Sequence, residues 1–232
     1  MIKSFVAFII HNLKFITMKK ILLSAAVLMS ITAYAQKIRI GFTTGVAIAN
    51  YKSKVDGNTE SGNAKAGFTA GVLADIPAGN HLSFQPALNF VQKGTKDEQT
   101  YGGVTEKIKL NINCIELPLN FLYNSRGKNG NFFVGAGPSL AFAISGKAKY
   151  DDGTNKLSEK IKFGSGDEDF MKPVDLGANF IAGYTLQNGI SFCLNYNAGL
   201  NNLFPHGSED GRLRSNYFGI KIGYLLKGNY RN

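Results

Sequence analysis

Phe218-Gly219-Ile220-Lys221-Ile222-Gly223-Tyr224-Leu225-Leu226 decides the fold. Phe218, Ile220, Ile222, Tyr224 and Leu226 share one parity, and Gly219, Lys221 and Gly223 share the other. Successive strand residues point to opposite faces, so this segment is a strand with one greasy face and one small or polar face.

Working back from this strand, seven similar stretches appear. The first covers about 37–50, with Ile38, Ile40, Phe42, Val46 and Ile48 on one face and Arg39, Gly41, Thr43, Gly45 and Ala47 on the other. The second, about 65–76, turns Phe68, Val72 and Ile76 outward. The third, about 81–93, turns out Leu82, Phe84, Leu88 and Phe90, and Pro86 within it predicts a bulge because it cannot donate to the ladder. The fourth, about 105–123, carries Ile108, Leu110 and Ile112, then shifts phase to Ile115, Leu117, Leu119 and Phe121. That shift predicts a β-bulge near Asn113–Cys114. The fifth, about 131–146, opposes Phe132, Val134, Leu140, Phe142 and Ile144 to a face of small residues. The sixth and seventh, about 173–186 and 190–200, are joined by Asn188-Gly189, a strong hairpin signal.

The gaps after the first, third, fifth and seventh stretches are long and polar, and those after the second, fourth and sixth are short. Outer-membrane barrels have long loops on the outside, short turns on the periplasmic side and an even number of strands. The expected fold is therefore all-β: an eight-stranded antiparallel up-and-down transmembrane β-barrel. Eight strands closed on themselves leave no open edge in lipid. A soluble lipocalin-like barrel would turn its apolar face inward around a ligand and carry charge outside. The Ile, Leu, Phe and Val face here recurs on every strand, and the small or polar face suits a narrow lumen.

The N-terminus supports export. Met18-Lys19-Lys20 is a basic start, Ile21 to Ile31 a short apolar core, and Ala33-Tyr34-Ala35 a signal-peptidase site, with cleavage before Gln36. Residues 1–35 read as a signal peptide and 36–232 as the barrel domain. Residues 1–17 are a mis-called start ahead of Met18 or part of a longer signal. The mean hydropathy of −0.08 is too low for a bundle of membrane helices. The signal holds four lysines and no acid, so of 26 basic residues 22 remain against 16 acidic ones, a net charge of about +6. These charges form no block, which argues against nucleic acid. Cys114 and Cys193 fall in strands that are not sequence neighbours and are expected as free thiols. With His81 and His206 they show no metal-ligand spacing, and no cofactor is expected.

Two segments resemble a family. Ile115-Glu116-Leu117-Pro118-Leu119-Asn120-Phe121-Leu122-Tyr123 resembles the Leu-Glu-Ile-Pro-Leu strand of PorT-like outer-membrane β-barrel proteins, and Gly135-Ala136-Gly137-Pro138-Ser139-Leu140 is similar to the Gly-Pro strand that follows it there. The family is typical of Bacteroidetes-type bacteria, and its named member is linked to secretion of other proteins. No residue here encodes that role. The last strand also looks like the terminal signal read by the barrel-assembly machinery, with Tyr217, Gly219, Ile222 and Tyr224 as its candidate residues. Eight residues follow Tyr224, whereas many barrels end at that aromatic residue.

The inward parity collects a candidate lumen network: Arg39, Asp75, Glu116, Asn120 and Lys221, with Gln85, Asn89, Lys107, Lys109, Asp175, Asn179, Asn195 and Asn197. Buried charges must be paired or hydrated, so Glu116 is expected to pair with Lys221 or Arg39. The pair either plugs the lumen or gates small solutes. A lipid-modifying enzyme would need Ser, His and an acid converging on the outer face. His81 lies beside a turn, and His206 is followed in its loop by Ser208, Glu209 and Asp210, so neither meets that requirement. The acidic stretches Asp151-Asp152-Gly153 and Gly166-Asp167-Glu168-Asp169 miss the spacing of a calcium loop and read as solvated surface. The function expected is a non-enzymatic membrane scaffold or surface-interaction protein, the alternative a narrow pore, and the third reading a lipid-modifying enzyme. The expected partners are outer-membrane lipid and lipopolysaccharide, the barrel-assembly machinery during biogenesis, and an extracellular or periplasmic protein.

Overall fold

The computed structural model describes residues 38–55, 57–101, 104–127, 129–166, 168–205 and 211–226. The signal-peptide reading of residues 1–35 and the loop residues His206, Ser208, Glu209 and Asp210 lie outside them. Ten strands follow in order: β1 (Arg39–Val55), β2 (Asn58–Ser61), β3 (Asn63–Pro77), β4 (Leu82–Tyr101), β5 (Val104–Gly127), β6 (Gly130–Asp151), β7 (Lys156–Lys160), β8 (Val174–Leu186), β9 (Ile190–Gly199) and β10 (Gly211–Leu225). Eight form a ring in the order β10-β9-β8-β6-β5-β4-β3-β1, and β1 pairs back onto β10. All ring pairings are antiparallel, and the closing one runs from Gly41↔Leu225 to Val55↔Gly211. The short strands β2 and β7 add to the free upper lengths of β1 and β6.

The burial pattern is inside out. Phe42, Phe68, Phe121, Phe180 and Phe192 are each half exposed or more on the outer wall, while Asn89, Glu116, Asn120, Asn179 and Asn197 are buried. On β1 the apolar outer residues run from Ile40 to Ile48, eight steps of about 3.3 Å. At a strand tilt of about 40° this gives roughly 20 Å of height, close to the apolar band of a membrane barrel. The turn between β8 and β9 has Gly189 at φ +95°, where a Cβ is strained. There the Asn188 side chain accepts a hydrogen bond from the Ile190 amide at 3.0 Å.

Several sequence expectations are corrected. The long gaps are shorter than read, because β1, β4 and β6 continue as ladders beyond the apolar band; β4 stays paired with β5 to Tyr101↔Val104. Leu110 and Ile112 do not face outward. They are buried with Cys114 and Glu116, so β5 keeps one inward parity from Leu110 to Asn120. The register shift between Asn113 and Cys114 is real, but the extra residue is Ile144 on the partner strand: Asn113 pairs with Ser145 and Cys114 with Ala143. It is therefore β6 that changes phase. Pro86 makes no bulge. Register is constant on both sides of it: the ladder to β3 has a gap at Gln85–Pro86, where the N–H is missing, and Pro86 still pairs with Leu119 of β5. A shift does occur between Ala64 and Thr69, where the Gln92 side chain accepts the Phe68 amide at 3.2 Å. Lys107 and Lys109 are not in the lumen: Lys109 is exposed, and Lys107 stands beside Glu98 at 4.0 Å.

Candidate functional site

The lumen is filled in layers. At the end where β1 begins and β10 ends, beside the short turns, Arg39 of β1 grips Asp75 of β3, its Nη2 at 2.5 Å and its Nε at 3.1 Å from Oδ2. The two residues are register partners. Leu122, Phe133 and Cys193 form a small apolar cluster.

Above it lies an amide layer. Asn179 donates to Asn120 at 2.9 Å, and Asn195 donates to Asn179 at 3.2 Å. Amides suit this place because each supplies donors and an acceptor without a charge to neutralise. Gly219 of β10 faces this layer, and a Cβ there would run into the Asn195 side chain. A cavity of about 40 Å³, lined by Asp75, Asn89, Glu116, Asn120, Asn195 and Lys221 among others, runs from the Arg39 end of the lumen to Glu116. That is room for about three waters.

The middle layer is a charged knot. Lys93 of β4 is buried; its ammonium lies 2.8 Å from Asp175 Oδ2 of β8 and 3.6 Å from Glu116 Oε2 of β5. It stands 3.4 Å from Ser215 Oγ and 5.3 Å from the centre of the Tyr217 ring. The Ser215 hydroxyl donates to Asp175, and the Tyr217 hydroxyl donates to Glu116 Oε1 at 2.6 Å. One ammonium thus holds two carboxylates from different strands, and two hydroxyls of β10 each donate to one of them, while Glu116 Oε2 and Asp175 Oδ1 are buried without a hydrogen-bond donor. Beside it Asn197 donates to Ser139 Oγ at 2.6 Å.

The top layer is apolar. Tyr51, Leu110, Ile112, Cys114, Ala141, Ala143, Met171 and Leu203 form one buried cluster. Met171 and Leu203 come from the segments after β7 and β9, which fold over the opening. Backbone bonds pin them: Lys172 N to Leu203 O at 2.8 Å, Leu203 N to Leu213 O at 2.9 Å and Ala143 N to Pro173 O at 2.8 Å.

Of the residues chosen from sequence, Asp75, Glu116 and Asn120 are buried in the lumen, Arg39 is partly buried at its mouth, and Lys221 lines the small cavity. The expected pairing is corrected: Glu116 is joined to Lys93 and Tyr217, and Arg39 to Asp75. Lys93 and Ser215 were missed. Parity would have placed Lys93 inside with Gln85, Asn89 and Val91. Tyr217 and Gly219 face inward, whereas Ile222 and Tyr224 face outward. Cys114 and Cys193 are free and buried.

Other candidate chemistry is already engaged. A ring nitrogen of His81 lies 2.9 Å from the Asn124 carbonyl, and the ring stacks on Tyr123 at 5.6 Å. Asp152 accepts the amides of Thr154 and Asn155, Asp151 accepts that of Gly153 and meets Lys156 at 3.2 Å, and Glu168 meets Lys162 at 3.0 Å. Backbone hydrogen bonds hold the Asp151 and Asp152 carboxyls below the ordinary value of 3.8.

Among solved structures, Ail of Yersinia pestis is 13% identical, with 81% of this chain and 98% of Ail covered and a TM-score of 0.40. OprG of Pseudomonas aeruginosa is 12% identical, with 82% and 94% covered and a TM-score of 0.42. Neisserial surface protein A is 12% identical, with 80% and 97% covered and a TM-score of 0.35. No curated protein sequence matches the chain. The sequence pattern of a family described as "Outer membrane protein beta-barrel domain" matches residues 34–205, most of the chain. With its closed ring and outward apolar belt, the chain belongs to that family and is a protein of the outer membrane.

Proposed function

We propose that this is a sealed, non-enzymatic barrel that anchors a surface-interaction platform, the hairpin ends β1–β2, β4–β5 and β6–β7. The observation that carries the reading is the lumen itself. A charged knot and an apolar lid lie one above the other, and the cavity below the knot holds only about 40 Å³. Such a bore passes no solute, and what remains for contact is the polar, ladder-stiffened end beyond the apolar band. Within the family, the segments Ile115–Tyr123 and Gly135–Leu140 support a PorT-like assignment. Ile222 and Tyr224, outward on β10, are the residues we assign to recognition by the barrel-assembly machinery.

The test has two arms. A short epitope inserted after Gly153, at the exposed β6–β7 turn, is expected to be labelled on intact cells. The purified protein in planar bilayers is expected to give no resolved current steps. An epitope reached only after permeabilisation would overturn the orientation. Regular steps from the wild-type protein would favour the narrow pore.

A further inference from the structure

The outer wall changes chemistry in a fixed order with height. On β5 the apolar belt ends at Ile115, opposite Phe142, and on β6 at the bulged, half-exposed Ile144. A polar row, Asn113↔Ser145, follows, then Asn111↔Lys147 and Lys109↔Lys149. The Lys109 row continues sideways to Lys96 of β4, and the Lys147 row to Lys160 of β7. The stem of Lys65 lies across Gly94, 3.1 Å from where a Cβ would stand. Lys96, Lys109, Lys147, Lys149 and Lys160 are all exposed. Among the described residues none of these lysines has an ion pair. One row higher the signs alternate along Glu98, Lys107, Asp151 and Lys156, where Glu98 pairs with Lys107 and Asp151 with Lys156. Like charges opposed across strands are destabilising. Partial burial first, and then the charges of Lys109 and Lys149, hold the Lys65 ammonium below its ordinary pKa. A concavity of about 540 Å³ opens here between Asn111, Asn113, Ile144, Lys147, Lys149 and Lys160.

The far side of the ring repeats the order. Ile48↔Phe218 ends the belt, Asn50↔Asn216 follows, then Lys52↔Arg214 and Lys54↔Arg212. A pocket for a soluble ligand would be local. A cationic layer at one height on both sides of a barrel marks a plane. The first cationic row stands three to four residues beyond the belt, about 8–10 Å higher at a 40° tilt. A headgroup region extends about 5–7 Å beyond the hydrocarbon, within reach of a lysine bending towards it.

We propose that the lysine ladder of β4–β7 is a binding site for the phosphate groups of the phosphorylated glycolipid in the surrounding outer leaflet, with the Asn111–Lys160 concavity as its deepest point. The inference rests on the outward orientation of the hairpin ends argued above. The acyl chains would lie along the apolar belt while the ammonium groups hold the sugar phosphates, so the like-charge rows are neutralised by lipid and not by protein carboxylates.

The test uses the full mature chain folded in detergent, titrated with lipopolysaccharide lacking O-chain, with the same material after dephosphorylation, and with heparin. Lys96→Gln/Lys109→Gln/Lys147→Gln/Lys149→Gln is compared with a charge-matched control, Lys107→Gln/Lys156→Gln/Lys162→Gln/Lys172→Gln. The wild type is expected to prefer the phosphorylated lipid. The ladder variant is expected to lose at least about tenfold in affinity, and the control less than about threefold. Equal binding of both lipid forms, preference for heparin, or an equal loss in the control would overturn the proposal. Should the fourfold variant fail to fold, Lys109→Gln/Lys149→Gln removes one opposed pair and is expected to weaken binding by about threefold or more. An epitope at Gly153 that is labelled outside, with no discrimination between lipid forms, would sink this inference and leave the platform reading standing. An epitope facing inward would remove the ground for both.

Discussion

Lys93 is the residue on which the lumen turns. It holds Asp175 and Glu116 at once, and all three are almost wholly withdrawn from solvent. Removing one member of a buried ion pair strands the others, at a cost of about 3–5 kcal/mol. Lys93→Met is therefore expected to destabilise the barrel by about that much, read as a lower urea midpoint in detergent. Lys93→Met/Glu116→Gln/Asp175→Asn is expected to recover much of the loss, because no bare charge is left. Glu116→Ala is milder, since Lys93 keeps Asp175, and its bilayer conductance is expected to stay at the wild-type baseline because the apolar lid is untouched. A large conductance increase would show that Glu116 is a gate. The polarity of this site was legible in the sequence as inward Asp, Glu and Asn positions. The partners were not. Which residues meet across a lumen depends on the stagger of the whole ring, and sequence parity gives only the face.

At the level of elements, the alternation of the belt strands was readable because lipid on one side and lumen on the other force opposite chemistries. Beyond the belt both faces of a strand are wet and the alternation fades, so the upper lengths of β1, β4 and β6 looked like loop. The phase of β5 misled for a related reason. Its upper lumen is capped by Met171 and Leu203 and is apolar, so Leu110 and Ile112 resemble lipid-facing residues while pointing inward. The β6–β7 turn is built on Asp151 and Asp152, whose folded pKa values lie below the ordinary 3.8. A lowered folded value means that their contribution is present above the unfolded pKa and is lost as pH falls through the folded one. The amide signals of Gly153, Thr154 and Asn155 are expected to be constant from pH 7 to about pH 5 and to shift only below about pH 4. Movement near neutrality would contradict this arrangement.

For the whole molecule, closure is the governing fact. The β1–β10 ladder runs unbroken from Gly41 to Val55, so no backbone edge faces lipid. Folded protein in the outer-membrane fraction is expected to migrate differently on electrophoresis before and after boiling. Recovery of unshifted protein in the soluble periplasmic fraction would contradict the membrane barrel.

The charged knot also sets an order of events. Lys93 meets Asp175 82 residues further along the chain and Ser215 122 residues further, and Glu116 meets Tyr217 across 101. A chain inserted only as far as β6 carries its ammonium without Asp175 and without the two hydroxyls of β10. The cost of an incomplete insertion is thus concentrated in its middle and is relieved in two steps, by Asp175 when β8 arrives and by the two hydroxyls when β10 does. The sheet carries an internal completion check: half-inserted intermediates are penalised, and the last hairpin to arrive locks the ring.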